Sequence, residues 1–145
     1  MTNLSGQTAL VMPEALNVLD ATLSVISDGS AVPAVIVEEH LPTGFAVPNH
    51  VHDNVELFYI LEGEITVAGP QGEMKAAAGA VVNLPRGVWH GVRNASAAPA
   101  RVLVVLSPGL QVLEMYRHFD RAGRTAPLAP DAIASIAAQY GVRLV

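Results

Sequence analysis

An all-β domain, a sandwich or barrel finished by short C-terminal helices, is what the 145-residue sequence predicts. Three observations carry that expectation. Ten prolines and twelve glycines cut the chain into short pieces. The pieces between them are rich in strand-forming residues, with turn signals at the roughly eight-to-twelve-residue spacing of all-β domains. Beyond Ser107-Pro108-Gly109 the hydrophobic period changes to that of a helix.

In chain order, strands are expected near Thr22–Ser27, Val32–His40, Ala46–His52, Leu57–Leu61, Glu64–Ala68, Glu73–Ala77, Ala80–Leu84, Gly91–Asn94 and Arg101–Leu106. Turns fall between them at Ser27-Asp28-Gly29, Pro42-Thr43-Gly44, Glu62-Gly63, Gly69-Pro70-Gln71-Gly72, Gly79 and Pro85-Arg86-Gly87. Val112, Tyr116 and Phe119 then recur at helical spacing with Leu113 beside them. After a loop over Arg121–Ala129, a second helix is expected past Pro130, with Asp131 as its N-cap. Ile133, Ile136, Ala137 and Tyr140 form its apolar stripe and Gly141 its stop. One domain over 1–145 is expected, with a barrel core at about 20–107 and a helical extension over 110–145.

Half the residues are hydrophobic (51%), enough for a sizeable core, whereas only 14% are charged, against roughly 25% in ordinary soluble domains. That apolar excess leads us to expect a homodimer, built by sheet packing or by exchange of Thr22–Ser27. The formal charge of −5 argues against nucleic acid as a partner. No lysine or arginine precedes Lys75, so residues 1–74 hold ten acids and no base, and 75–145 hold eight bases and three acids. In one closed domain the two halves should attract. The absence of cysteine removes disulfides, zinc–thiolate sites and thiol nucleophiles. Met1 to Leu10 has neither a basic segment nor a long apolar run, and no stretch is long and apolar enough to span a bilayer. A cytoplasmic location without membrane contact is the expectation.

Chemistry concentrates in three of the five histidines. His50 and His52 stand two apart, which on a strand places both imidazoles on one face. Glu56 follows across the short polar connection Asp53-Asn54-Val55, and His90 comes just after Pro85-Arg86-Gly87. Three neutral imidazoles and a carboxylate suit Fe, Mn, Co, Ni, Cu or Zn, with coordination positions left open for a substrate. Three inward histidines and a glutamate without an ion would leave buried donors unpaired, each costing on the order of 1–3 kcal/mol. His40 and His118 are expected to face solvent.

The spacing of Gly44, His50, His52, Glu56 and Gly63 resembles the first cupin motif, and that of Gly79, Pro85, Gly87, His90 and Asn94 the second. This resemblance implies a jelly-roll-type cupin β-barrel holding one divalent transition metal through His50, His52, Glu56 and His90. The run Leu57–Gly63, the exit at Ser107-Pro108-Gly109 and the closing Gln139-Tyr140-Gly141-Val142 are similar to single-domain bacterial cupins related to quercetin dioxygenases. By that resemblance Glu56 would be ligand and general base together, taking the proton of an enolic hydroxyl, with O2 as co-substrate.

Alternation from Glu56 and His90 turns Phe58, Ile60 and Val92 inward, where they would either line a substrate pocket or fill the closed end of the barrel. Arg86 would either reach the mouth and attract an anion or stay on the surface. Trp89 should point away from His90's face, into core or interface. Three functions follow: a quercetinase-like dioxygenase acting on a small enolic or aromatic substrate; a non-redox metal-dependent isomerase, lyase or cyclase; and a small-ligand-binding module without turnover. The absence of an attached DNA-binding domain weighs against a regulator.

Overall fold

The computed structural model describes residues 8–145. Most of the N-terminal stretch read above, Met1–Gln7, lies outside the described residues. Eleven strands and two helices follow in order: β1 (Glu14–Val18), β2 (Ala21–Asp28), β3 (Val35–Leu41), β4 (Ala46–Val51), β5 (Val55–Glu62), β6 (Glu64–Gly69), β7 (Gly72–Ala77), β8 (Val81–Leu84), β9 (His90–Arg93), β10 (Ala100–Ser107), α1 (Leu110–Ala122), α2 (Pro130–Gln139) and β11 (Arg143–Leu144). Nine of these strands coincide with expected ones. β1 and β11 were not expected.

All pairings are antiparallel, and they form two sheets rather than a closed barrel. One has the order β1-β2-β3-β10-β5-β8 and the other β11-β4-β9-β6-β7. The ladders stop at β1 and β8 in one sheet and at β11 and β7 in the other. Among the described residues no hydrogen-bonded ladder joins the sheets, so they stack as a sandwich.

Period-2 alternation fills the space between them. β10 turns Ala100, Val102, Val104 and Leu106 inward, β3 adds Val35, Val37 and Leu41, and β5 adds Phe58 and Ile60. Ile65, Val67 and Val92 meet them from the five-stranded sheet. Each of these side chains larger than alanine, fully buried, contributes about 1.5–3 kcal/mol.

α1 buries Val112, Leu113, Met115 and Phe119 and runs through Ala122, so Arg121 and Ala122 are helical rather than loop. Its Asp120 carboxylate accepts from the Asn17 backbone N–H at 2.9 Å, fixing the helix to β1. α2 starts two residues earlier than expected. Ala129 is the N-cap and Pro130 the first helical residue, a position where proline's missing N–H costs nothing. Asp131 therefore stands in the first turn, not at the cap, with its charge still favourably placed against the helix dipole.

The charge asymmetry resolves into contacts between the halves. Arg93 grips Glu73 with two bonds of 2.7 and 2.8 Å. Arg101 pairs with Glu38 and Glu62, Arg117 with Glu14, and Arg86 with Asp53. Each pair joins a base of the second half to an acid of the first. Among the described residues no helix is long and apolar enough to cross a membrane.

Candidate metal centre

His50 comes from β4, and its inward aim depends on a bulge. Val47 pairs with Val92 and His50 with His90, so β4 uses three steps where β9 uses two. The extra residue shifts the alternation, so that both Val47 and His50 line the interior cavity. Beside His90 the chain carries a glycine, Gly91. A Cβ on Gly91 would collide with the Asn49 side chain in the bulge.

His52 lies just past β4. The connection from it to Glu56 is held at two points. The His52 carbonyl accepts from the Gly87 backbone N–H at 3.0 Å, tying it to the turn that precedes His90. The buried Asn54 side chain donates to the Pro108 carbonyl and accepts from Gln111 at 2.8 Å, tying it to the start of α1. Glu56 itself belongs to β5, in the opposite sheet, between Leu84 and Leu106. Asn94 organises the entry to β4: its backbone exchanges bonds with Gly44 and Phe45, and its side chain donates to the carbonyls of Leu41 and Ala98.

One nitrogen from each of His50, His52 and His90 comes within 4.8 Å of the others. The ring centroids of His50 and His90 are 4.5 Å apart. Glu56 joins this group on one side only. Its Oε1 lies 3.2 Å from His52 Nε2 and 3.1 Å from His90 Nε2. The His52 contact is a hydrogen bond, whereas that of His90 lies outside hydrogen-bond geometry, so His90 Nε2 is buried with no partner.

His50 Nδ1 is 2.7 Å from the Pro48 carbonyl and His90 Nδ1 is 3.3 Å from that of Val88. A carbonyl only accepts, so Nδ1 carries the proton in both rings and each Nε2 presents a lone pair. Burial holds His50 down at about 4, reinforced by His90, so it is a neutral donor at neutral pH. Burial works to raise the Glu56 carboxyl, but the hydrogen bond from His52 and the neighbouring His90 outweigh it and bring the group to about 2. An ionised carboxylate, two outward-anchored imidazoles and an unpartnered buried nitrogen fit a divalent transition metal. His50, His52, His90 and Glu56 are the residues that could hold it.

His50, His52 and Glu56 form part of the wall of a cavity of about 90 Å³, whereas His90 is not among its lining residues. Val18, Ala21, Leu23 and Val47 line it from the strands, Phe45 from the loop before β4, and Val112, Met115, Tyr116 and Phe119 roof it from α1. Ile133 and Ala137 come from α2. The expected pocket residues lie elsewhere. Phe58, Ile60 and Val92 are buried in the packed core and do not line this cavity. Arg86 is exposed and faces Asp53 at 3.5 Å. Trp89 is half-buried beside Val67 and Met74, away from the cavity. His40 is exposed, as expected. His118 is not: it is half-buried, with Nδ1 3.0 Å from the Tyr140 hydroxyl, and its ring meets Tyr140 edge-on.

One cavity residue escaped the reading of the sequence. Glu39 sits in the run Glu38-Glu39-His40, which looks like a polar strand end. The alternation Val35, Val37, Glu39, Leu41 was the available signal, and it turns Glu39 into the cavity.

Comparison with known families meets this geometry from the other direction. Residues 37–106 match the cupin domain family. That match spans 70 of the 145 residues. Among solved structures, a predicted oxalate decarboxylase from Thermotoga maritima is 24% identical, with a TM-score of 0.59 over 67% of this chain and 92% of that one. A cupin-superfamily sugar phosphate isomerase from Silicibacter pomeroyi is also 24% identical, with a TM-score of 0.56 over 60% of this chain and 59% of that one. TT1209 from Thermus thermophilus reaches 39% identity, over 52% of this chain and 72% of that one, with a TM-score of 0.49. Comparison with curated proteins gives no match.

Proposed function

We propose that this chain is a cupin, and a metal-dependent enzyme that moves a proton on a small oxygen-bearing substrate, in the manner of an isomerase, lyase or cyclase. The observation that carries the reading is the meeting of three histidine nitrogens with the Glu56 carboxylate, with His50, His52 and Glu56 at the wall of a mostly apolar cavity. A divalent metal held there by His50, His52, His90 and Glu56 would act as a Lewis acid, making a coordinated hydroxyl acidic enough to be deprotonated by a weak base. Glu56, ionised and beside the substrate, accepts that proton on a carboxylate oxygen and returns it to the product. His50 and His90 stay oriented through their bonds to the Pro48 and Val88 carbonyls, and the helices α1 and α2 cover one side of the cavity.

Size sets this reading above the cleavage of a flavonol. Pockets for three-ring, drug-sized ligands run to roughly 300–1,000 Å³, several times the cavity of about 90 Å³. Elemental analysis of untagged protein, followed by calorimetric titration with Ni²⁺, Zn²⁺, Mn²⁺ and Fe²⁺, tests the centre. We expect one equivalent bound per chain, and no binding by any of them would refute the reading. Small α-hydroxy ketones and enols in deuterated water then test the reaction. Exchange at the carbon next to the oxygen is expected in wild type and lost in Glu56→Gln. Oxygen uptake on the same compounds would instead favour a dioxygenase.

A further inference from the structure

Glu39 is a carboxylic acid at a core position of β3, and its surroundings differ from those of its neighbour. Glu38 turns outward to Arg101 at 2.9 Å. Glu39 faces the cavity and has no ion pair or hydrogen bond among the described residues, the only groups acting on it being its own burial and Glu56. Register places it at a distinct position on the wall. It stands opposite Val102 of β10, whereas Glu56 stands opposite Leu106. The two acids are therefore two strands and two inward positions apart in one sheet. Tyr116, on α1, lies under the influence of both. Every other residue lining the cavity, apart from His50 and His52, is apolar, and neither lysine nor arginine is among them.

We infer that Glu39 is a substrate-contacting residue, meeting an uncharged hydroxyl, carbonyl or amide group at the end of a small substrate whose other end lies against the histidine cluster. This rests on the enzymatic reading above and narrows its substrate class. An anionic group at the Glu39 position would be desolvated beside a carboxyl and a phenol with no cation to balance it. A neutral polar group finds hydrogen-bonding partners in both. Burial, reinforced by Glu56, pushes the Glu39 carboxyl up to about 8, so at neutral pH it donates a hydrogen bond. An unpaired acid at an inward position among valines weakens a strand. Its presence there makes sense if it meets a ligand.

Succinamate and succinate test the inference, since they share one carboxylate head and are of equal size but differ in having an amide or a second carboxylate as the tail. Calorimetric titration of the Ni²⁺-loaded full chain should show succinamate binding at least about tenfold tighter than succinate. Glu39→Leu should weaken succinamate about tenfold, with Ni²⁺ affinity within about twofold of wild type. The same variant should raise the Tm, which loss of a merely structural residue would not do. Glu39→Gln, which can still donate, should keep succinamate binding within about threefold. Equal binding of the two probes by wild type, or unchanged succinamate affinity in Glu39→Leu, would overturn the inference. Failure to bind Ni²⁺ or any other metal would sink the enzymatic reading instead. Glu39 would then be judged on the metal-free chain, where a ¹³C shift of its carboxyl on adding succinamate supports the contact and an unmoved signal refutes it.

Discussion

The two sides of the interior are built from the same alternation and end in opposite conditions. On the β5, β8, β6 and β7 side, Phe58, Ile60 and Ile65 are packed core, and Val67 and Val82 are also buried while bordering a groove between β6, β7 and β8. On the β1, β2, β3, β4 and β11 side, inward positions hold His50 and Glu39 with smaller apolar chains, and a cavity remains under α1 and α2. Strand alternation decides which side chains face inward. Whether an inward side chain fills the core or borders open space is decided by what closes the sandwich above it. Here the closure comes from helices far downstream of the metal-binding strands.

The sharpest way to break the comparison is to damage each side separately. Ile60 is fully buried, and Ile60→Ala should cost about 2–5 kcal/mol of unfolding free energy. Its Ni²⁺ affinity below the lowered Tm should stay within about threefold of wild type. His90→Ala should do the reverse. Its Nε2 is buried and unpartnered, so the metal-free protein should lose little stability in chemical denaturation. Metal affinity should fall by about 100-fold, or roughly 2.7 kcal/mol. If Ile60→Ala weakens metal binding as much as His90→Ala does, the two sides are not separable and the comparison fails.

Between these lies Gly63, at the turn from β5 to β6 and on the packed side. Its φ of +79° is in the left-handed region, and a Cβ there would come 2.7 Å from the Pro99 carbonyl oxygen and 3.0 Å from Ala100 Cα. Because the obstruction is backbone, it cannot rotate away. Gly63→Ala should cost about 2 kcal/mol by thermal unfolding, with metal affinity unchanged.

Much of the packed side could be read from the sequence, because long runs such as Val35–Leu41 and Ala100–Ser107 alternate between punctuating glycines and prolines. The nitrogen donors were legible from the two-residue spacing of His50 and His52 and the turn before His90, although His52 lies just past β4 and not on it. What escaped depended on weaker or longer-range signals. The β1–β2 hairpin turns on Leu19 and Asp20, with φ of 49° and 75°, a conformation usually marked by Asn-Gly or Asp-Gly. β11 is two residues long and exists only because β4 offers it an edge. Phe58, Ile60 and Val92 face inward as alternation requires. That they fill the core and do not line the cavity depended on α1 and α2. Glu39 was hidden by its polar neighbours, although its position in the alternation gave it away.

The smallest effect concerns the cavity side alone and turns on sign. Glu39 titrates near 8 in the folded chain, above its ordinary value of 4.5. The folded state therefore holds this proton more tightly than the unfolded one. Its contribution to stability is complete below about pH 4.5 and is lost as pH rises through about 8. His50 works in the other sense: held down to about 4, it favours the folded state less as pH falls below its ordinary 6.5. Glu56 lies at about 2, and Tyr116 is pushed far above its usual value, so neither changes charge in the folded state between pH 5 and 8.5. Subtracting Glu39→Gln from wild type isolates Glu39, because the other groups titrate in both chains. In metal-free protein the difference in unfolding free energy should shrink by roughly 1–3 kcal/mol between pH 5 and 8.5. Parallel curves for the two chains would mean that Glu39 ionises as freely as it does in water, and the cavity wall would then hold two anions instead of one acid and one anion.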